Sequence, residues 1–290
     1  MASPAVISVS KINASDIQFA EPKRNKQGGV SVAFKYNNQN VQFRFPQLSF
    51  PGGCRVKENV NKDGSTSVSY SMSATLRGCD PYAQEPSMNS DDISKTYNFL
   101  RELQDRVIQA AVENSGKWFG KKRGEEGVRE SFNKFLSVSV DKTPDGWVPN
   151  GKYPPSVSFK LPVYDGKVCM DVIDVDDNDV EVNTSNLVDV FSKGCSSKLV
   201  VQASIYVVGQ SFGVTWKPTY VQVSKRKKQT AREMFAEDND DEEVAEPVEG
   251  GAKAALHEEE EEETPMPTTP PTSVVTSSEP PKAPRRRKVA

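Results

Sequence analysis

The sequence predicts a mainly β (α+β) domain, barrel-like and carrying helical insertions, with an acidic C-terminal segment that does not fold. Three observations predict it. Short runs of alternating apolar and polar residues recur through most of residues 1–228. One long segment, 90–114, switches to three-to-four spacing. Beyond about residue 232, charge blocks and Pro/Thr repeats replace periodicity.

The elements follow in order. VISVSKI (6–12) alternates as a strand does. GVSVAFKY (29–36) puts Val30, Val32, Phe34 and Tyr36 on one face, and after a polar NNQN break VQFRF (41–45) aligns Val41, Phe43 and Phe45. That is a hairpin pattern. A KDG turn (62–64) leads into STSVSYSMSATL, where Val68, Tyr70, Met72, Ala74 and Leu76 share a face and Ser and Thr fill the other. Such sustained period 2 means a sheet with one wet side. In 90–114 the stripe Ile93, Tyr97, Leu100, Leu103, Val107 and Ala111 predicts a helix, capped by Ser90 or Asp91 and followed by Gly116. A second helix is predicted over 126–136 through Val128, Phe132 and Phe135.

Strands then return. Asp165-Gly166 sits between two extended runs as a tight hairpin turn. TSNLVDVFSKG (184–194) reads as a short capped helix, and KLVVQASIYVV (198–208) with VTWKPTYVQV (214–223) as a final hairpin around GQSFG. The total is about seven to nine strands, and strands mostly follow strands, which suits a small barrel better than a doubly wound sheet.

Composition narrows the chemistry. The sequence has one histidine, His257, beside a poly-Glu run. That excludes Ser-His-Asp and Cys-His pairings in the folded part. Neither HExxH nor a GxxxxGK[ST] loop occurs. Cys54, Cys79, Cys169 and Cys195 are scattered with no CxxC pair, so no zinc site is expected and the thiols are read as reduced. DVDDNDVE (174–181) fails the calcium-loop spacing, with Asp179 where Gly is required and Ser185 where Glu is required. No catalytic residue, metal or cofactor is expected. No apolar run could span a bilayer and no secretory signal is read, so the chain is expected to be soluble and not secreted.

The net charge of -3 hides an asymmetry. Residues 1–228 carry about +6 and residues 229–290 about −9. The expected domains are therefore a basic body (1–228) and a disordered acidic tail (229–290), which cannot bury enough apolar surface to offset its ordering entropy. Arg285, Arg286, Arg287 and Lys288 form a basic block behind prolines, which reads as a nuclear import signal for an import carrier.

Three segments carry candidate binding chemistry. In strand geometry Phe212, Val214, Trp216, Pro218 and Tyr220 point one way and Thr215, Lys217 and Thr219 the other. If the aromatic face is wet, Phe212, Trp216 and Tyr220 are stacking platforms for bases; if it is core, Lys217 and Thr219 still meet phosphates. Pro218 argues for an edge or a bulge. Lys225, Arg226, Lys227 and Lys228 leave this strand as a basic arm. GKWFGKKRGEEG (116–127) sets Trp118 and Phe119 among Lys117, Lys121, Lys122 and Arg123, either as a mobile binding loop or as a connector anchored by Trp118. Trp147 and Tyr153 form a weaker third cluster, read as a packed loop.

A barrel of this length, the SFGVTWKPTYVQV strand (211–223), the basic arm and the acidic tail together resemble a family. It is that of the single-stranded DNA-binding proteins of large nucleocytoplasmic DNA viruses, algal ones in particular. Those are similar to a phage replication type with an OB-fold and an acidic tail. The resemblance covers about 1–228 and implies an OB-fold that coats single-stranded DNA in viral replication, recombination or repair. It places Phe212, Trp216, Lys217 and Tyr220 in the last barrel strand. The phage pattern ends in a terminal aromatic, whereas this sequence ends RRRKVA, which suggests added nuclear delivery; the expected location is the host nucleus or a cytoplasmic replication site. A tethered polyanion can also occupy a cationic groove and compete with DNA, or recruit replication proteins. Self-association is left open. The competing expectation is a nuclear acidic-tailed interaction protein, histone-chaperone-like or a virion assembly factor.

Overall fold

The computed structural model describes residues 4–25, 28–60, 64–82, 87–88, 91–144 and 146–224. The basic arm, the acidic tail and the import block lie outside these residues.

The first strand, β1 (Ala5–Ser8), is shorter than its alternation predicts and runs parallel to the long third strand. β2 (Val30–Tyr36) and β3 (Gln39–Phe50) form the expected hairpin, turning on Asn37 and Asn38 at φ 47 and 64. Asparagine tolerates that left-handed backbone, which suits the twist of a two-residue hairpin. β4 (Cys54–Val60) pairs antiparallel with β5 (Thr66–Thr75). Met72 and Ala74 are buried as the alternation requires, but Val68 is 47% exposed because this hairpin runs out past the core.

The periodic stripe becomes α1 (Asp92–Glu113), whose N-cap Asp91 accepts the Ser94 N–H at 2.9 Å. Tyr97, Leu100, Leu103, Val107 and Ala111 are buried, and Phe99 packs on Phe43 with ring centroids 5.7 Å apart. Residues 115–119 form a one-turn helix, α2 (Ser115–Phe119), rather than a loop. The helix predicted over 126–136 is only α3 (Glu125–Ser131), and Phe132–Asn133 then pairs parallel with Phe212–Gly213.

Next come β6 (Leu136–Ser137), β7 (Val140–Thr143), β8 (Gly146–Pro149) and β9 (Ser156–Leu161). Asp165 and Gly166, at φ 50 and 74, turn the small predicted hairpin. β10 (Asp171–Ile173) is an edge segment, and the predicted 184–194 helix shrinks to α4 (Leu187–Val190). The chain closes its described part with a 14-residue pair, β11 (Cys195–Val208) and β12 (Ser211–Ser224).

Among the described residues thirteen strands join in one sheet, running from Phe132–Asn133 through β12, β11, β2, β3, β5 and β9 to β6. β11 also pairs with β3, while β10 adds to β12 and β4 to β5. The inner face and the helices enclose one core. Trp216 is at its centre, edge-on to Phe43, Phe45 and Phe135 at 5.7, 5.7 and 5.4 Å.

Among the described residues no ladder joins β9 to β12, so hydrogen bonds do not close the sheet into the expected barrel. The two strands face each other across a hollow of about 310 Å³ instead.

Candidate nucleic-acid interface

The last strand carries a local irregularity that decides the site. Val200 pairs with Tyr220 and Val201 with Pro218, so Thr219 is an extra residue bulged out of β12. Proline at 218 supplies no N–H, which makes the ladder easy to interrupt there. A bulge reverses which residues face inward. Phe212, Val214, Trp216 and Pro218 face the core before it, and Val221 and Val223 after it. Tyr220 therefore turns out and is 53% exposed.

Register then assembles a row across four strands: Arg44 on β3, Val200 on β11, Tyr220 on β12 and Asp171 on β10. Neighbouring strands lie about 4.8 Å apart, so Arg44 and Tyr220 are separated by roughly 10 Å of sheet. Arg44 and Tyr220 are exposed, and Lys198, two residues from Val200, points out on the same face. These side chains rim a mostly apolar hollow of about 240 Å³. One rim is cationic and the other carries a carboxylate, with a phenol ring between them.

Lys217 adds a second ring-and-cation pair. Its Nζ donates to the Tyr164 hydroxyl at 2.7 Å and sits 5.3 Å from that ring's centroid. Tyr164 is 51% exposed. A smaller notch of about 150 Å³ shares Lys198 and Gln222 with the Tyr220 hollow, and there Gln47 donates to the Ser196 hydroxyl at 3.0 Å.

Three predicted platforms are not at the surface. Trp216, Phe212 and Trp118 are 1%, 0% and 2% exposed. Their area is worth more against the other core rings than in water, and the face of β12 that carries them is the core face. Phe119 is half-buried, edge-on to Phe212 at 5.4 Å.

The predicted cations of the 116–127 segment divide. Lys117 is salt-bridged to Glu21 at 3.3 Å. Arg123 lies 4.2 Å over the Phe119 ring and donates to Ser131 and to the Gln210 carbonyl at 3.2 and 3.0 Å, so it ties this segment to the β11–β12 turn. Lys121 and Lys122 are exposed. The structure thus brings Lys217 and Tyr220 onto one outer face, and nothing places the 117–123 cluster with them. Lys225, Arg226, Lys227 and Lys228 follow β12 directly but lie outside the described residues, as do Arg285, Arg286, Arg287 and Lys288.

Arg44, Lys198 and Tyr164 were missed in sequence. Arg44 in VQFRF and Lys198 before Leu199 carried one signal, a cation at an outward position of an alternating strand.

The acidic 174–181 segment is a self-satisfied turn. Asp174 accepts the Asp176 and Asn178 N–H groups at 2.8 and 2.9 Å, and the Asn178 bonds foremost hold its carboxyl below the ordinary range. Among the described residues no cluster of His, Cys, Asp and Glu could hold a metal ion, and no helix is long and apolar enough to cross a membrane.

No protein-family model and no curated protein matches the sequence. Among solved structures, the chain is similar to the single-stranded DNA-binding protein from bacteriophage Enc34 in complex with ssDNA. The identity is 14% and the TM-score 0.34, over 72% of this chain and 92% of that one. It is also similar to gp2.5, a single-stranded DNA-binding protein encoded by bacteriophage T7, at 13% identity and a TM-score of 0.37, over 71% of this chain and 98% of that one. Superpositions this loose transfer no residue from one site to another.

Proposed function

We propose that this protein binds single-stranded DNA on the outer sheet face around Tyr220 and carries out no chemistry on it. The carrying observation is the row Arg44–Val200–Tyr220–Asp171, a water-exposed ring between a cationic rim and a carboxylate. A ring of this kind stacks on any base whose face is open, which only an unpaired strand offers. Arg44, Lys198 and Lys217 suit the phosphates. Asp171 repels phosphate but accepts from a base's N–H, which orients the strand with its bases toward β10 and its backbone toward β3.

The finer reading is an OB-type barrel of the large-DNA-virus kind, coating single strands in replication, recombination or repair. The facing of β9 and β12 across one hollow supports the barrel. The basic run 225–228 supplies further cations for phosphate, the acidic 229–290 segment competes with DNA for the cationic surface, and the 285–288 block delivers the protein to the nucleus. Replication proteins are the partners such a tail would meet once DNA displaces it.

Fluorescence anisotropy with labelled oligo-dT, a duplex and oligo-rU, at two salt concentrations, tests the reading. Tight binding of oligo-dT over duplex is expected. Equal binding of duplex, or none of oligo-dT at low salt, rejects it.

A further inference from the structure

β7 and β8 form a separate two-stranded ladder, paired Val140↔Pro149, Asp141↔Val148, Lys142↔Trp147 and Thr143↔Gly146. Residues directly opposite in an antiparallel pair share a face. Lys142 and Trp147 therefore lie side by side, with Val140 and Pro149 beyond them. Trp147 is 68% exposed and Tyr153, just past the hairpin, 72%. The other two tryptophans are buried. An exposed indole offers a flat apolar face with a polar N–H at its edge, which suits a partner that is apolar on one side and polar on the other.

The hairpin's neck is built to hold its position. Ser139 donates its hydroxyl to the Asn150 side-chain oxygen, and the Asn150 N–H donates to the Ser139 carbonyl at 3.0 Å. Asn150 Nδ2 reaches Asp141 at 2.8 Å, and Lys152 pairs with Asp141 at 3.1 Å. These bonds, Asn150 first and Lys152 next, hold the Asp141 carboxyl below its ordinary range, so the neck is charged and tied at neutral pH. Below the neck the flanking segments pair as β6 with β9. A two-stranded ribbon is marginal in water unless braced, and this one is braced where it leaves the sheet.

We propose that the Trp147 face of this hairpin is a second single-strand contact, in which the indole stacks on a base and Lys142 meets the adjoining phosphate. The proposal rests on the single-strand reading above. An unpaired strand is the occupant whose chemistry fits this face: it brings phosphate to Lys142 and an open base to the exposed ring. The sequence pattern favoured Trp118 and Trp216, which are core, and put Trp147 and Tyr153 in a weaker third cluster read as a packed loop; the structure instead exposes both, with Trp147 on a paired hairpin.

Intrinsic fluorescence of the full chain tests this. Trp118 and Trp216 are sealed from a ligand, so quenching on oligo-dT addition is expected to come from Trp147 and to vanish in Trp147→Phe. Trp147→Ala is expected to weaken oligo-dT binding by roughly five- to a hundred-fold, and Trp147→Phe to recover most of that loss. The proposal is overturned if quenching persists in Trp147→Phe, or if Trp147→Ala binds as tightly as wild type. It is also overturned if Trp147→Ala converts a dimer to a monomer in sedimentation while DNA affinity holds. Wild-type binding that depends on Tyr220 but not on Trp147 removes the hairpin contact alone; absence of wild-type binding removes both readings.

Discussion

Thr219 donates its hydroxyl to the Val200 carbonyl at 3.1 Å, at the point where β11 and β12 slip register. One extra residue there decides whether Tyr220 belongs to the core or to the surface. The bond closes the bulge and so holds the ring outward.

Tyr220→Ala is expected to weaken oligo-dT binding by about 1–3 kcal/mol, as loss of one stacked base would. Its melting temperature should hold, since the residue is 53% exposed and surface substitutions usually stay within about 0.5 kcal/mol. A melting temperature that falls while affinity holds would move Tyr220 from binding to packing.

Arg44→Ala and Lys198→Ala are expected to reduce the slope of log K against log salt by about 0.7 for each phosphate that is no longer neutralised. Titrations at four salt concentrations measure it. An unchanged slope in the double variant would detach both cations from the strand.

Trp216→Ala is expected to cost about 3–5 kcal/mol of stability, the usual range for a truncated core ring. Gly53→Ala is also expected to destabilise, because its φ of 59 disfavours a side chain and the new Cβ would lie 2.6 Å from the Phe191 carbonyl oxygen. Urea denaturation reads both. Retention of full stability in Trp216→Ala would contradict the burial of that ring.

Burial foremost pushes the Cys54 and Cys195 thiols up to about 11 from 9.0. The folded state then keeps protons that the unfolded chain releases. Stability is full below about pH 9 and is expected to fall as pH rises toward 11. At neutral pH a thiol reagent is expected to label exposed Cys169 in the folded protein, and Cys54 and Cys195 only on unfolding. Rapid labelling of Cys54 in the native state would refute this.

Removing residues 229–290 is expected to tighten oligo-dT binding, most at low salt where a tethered polyanion competes best. Equal affinity with and without the segment would remove competition from the functional reading.

Much of the framework was legible in sequence because it rests on local rules. The α1 stripe, the Asn37-Asn38 and Asp165-Gly166 turns and the last hairpin each follow from periodicity or backbone preference within a few residues. The site was less legible. Strict alternation put Tyr220 with Trp216, and nothing local announced that Thr219 would bulge, although Pro218 marked where a ladder could break. Arg44 and Lys198 are 154 positions apart and meet only through register. Trp118 sits among glycines that suggested mobility, yet α2 folds it into the core.

The unsealed seam has its own consequence. Away from their paired neighbours, residues 158–160 of β9 and 214–216 of β12 line one hollow, and among the described residues their amides on that edge meet no ladder. Breathing of the wall should begin there. Deuterium would enter those amides before it reaches the β11–β12 ladder, and a strand lying over the seam would slow its entry.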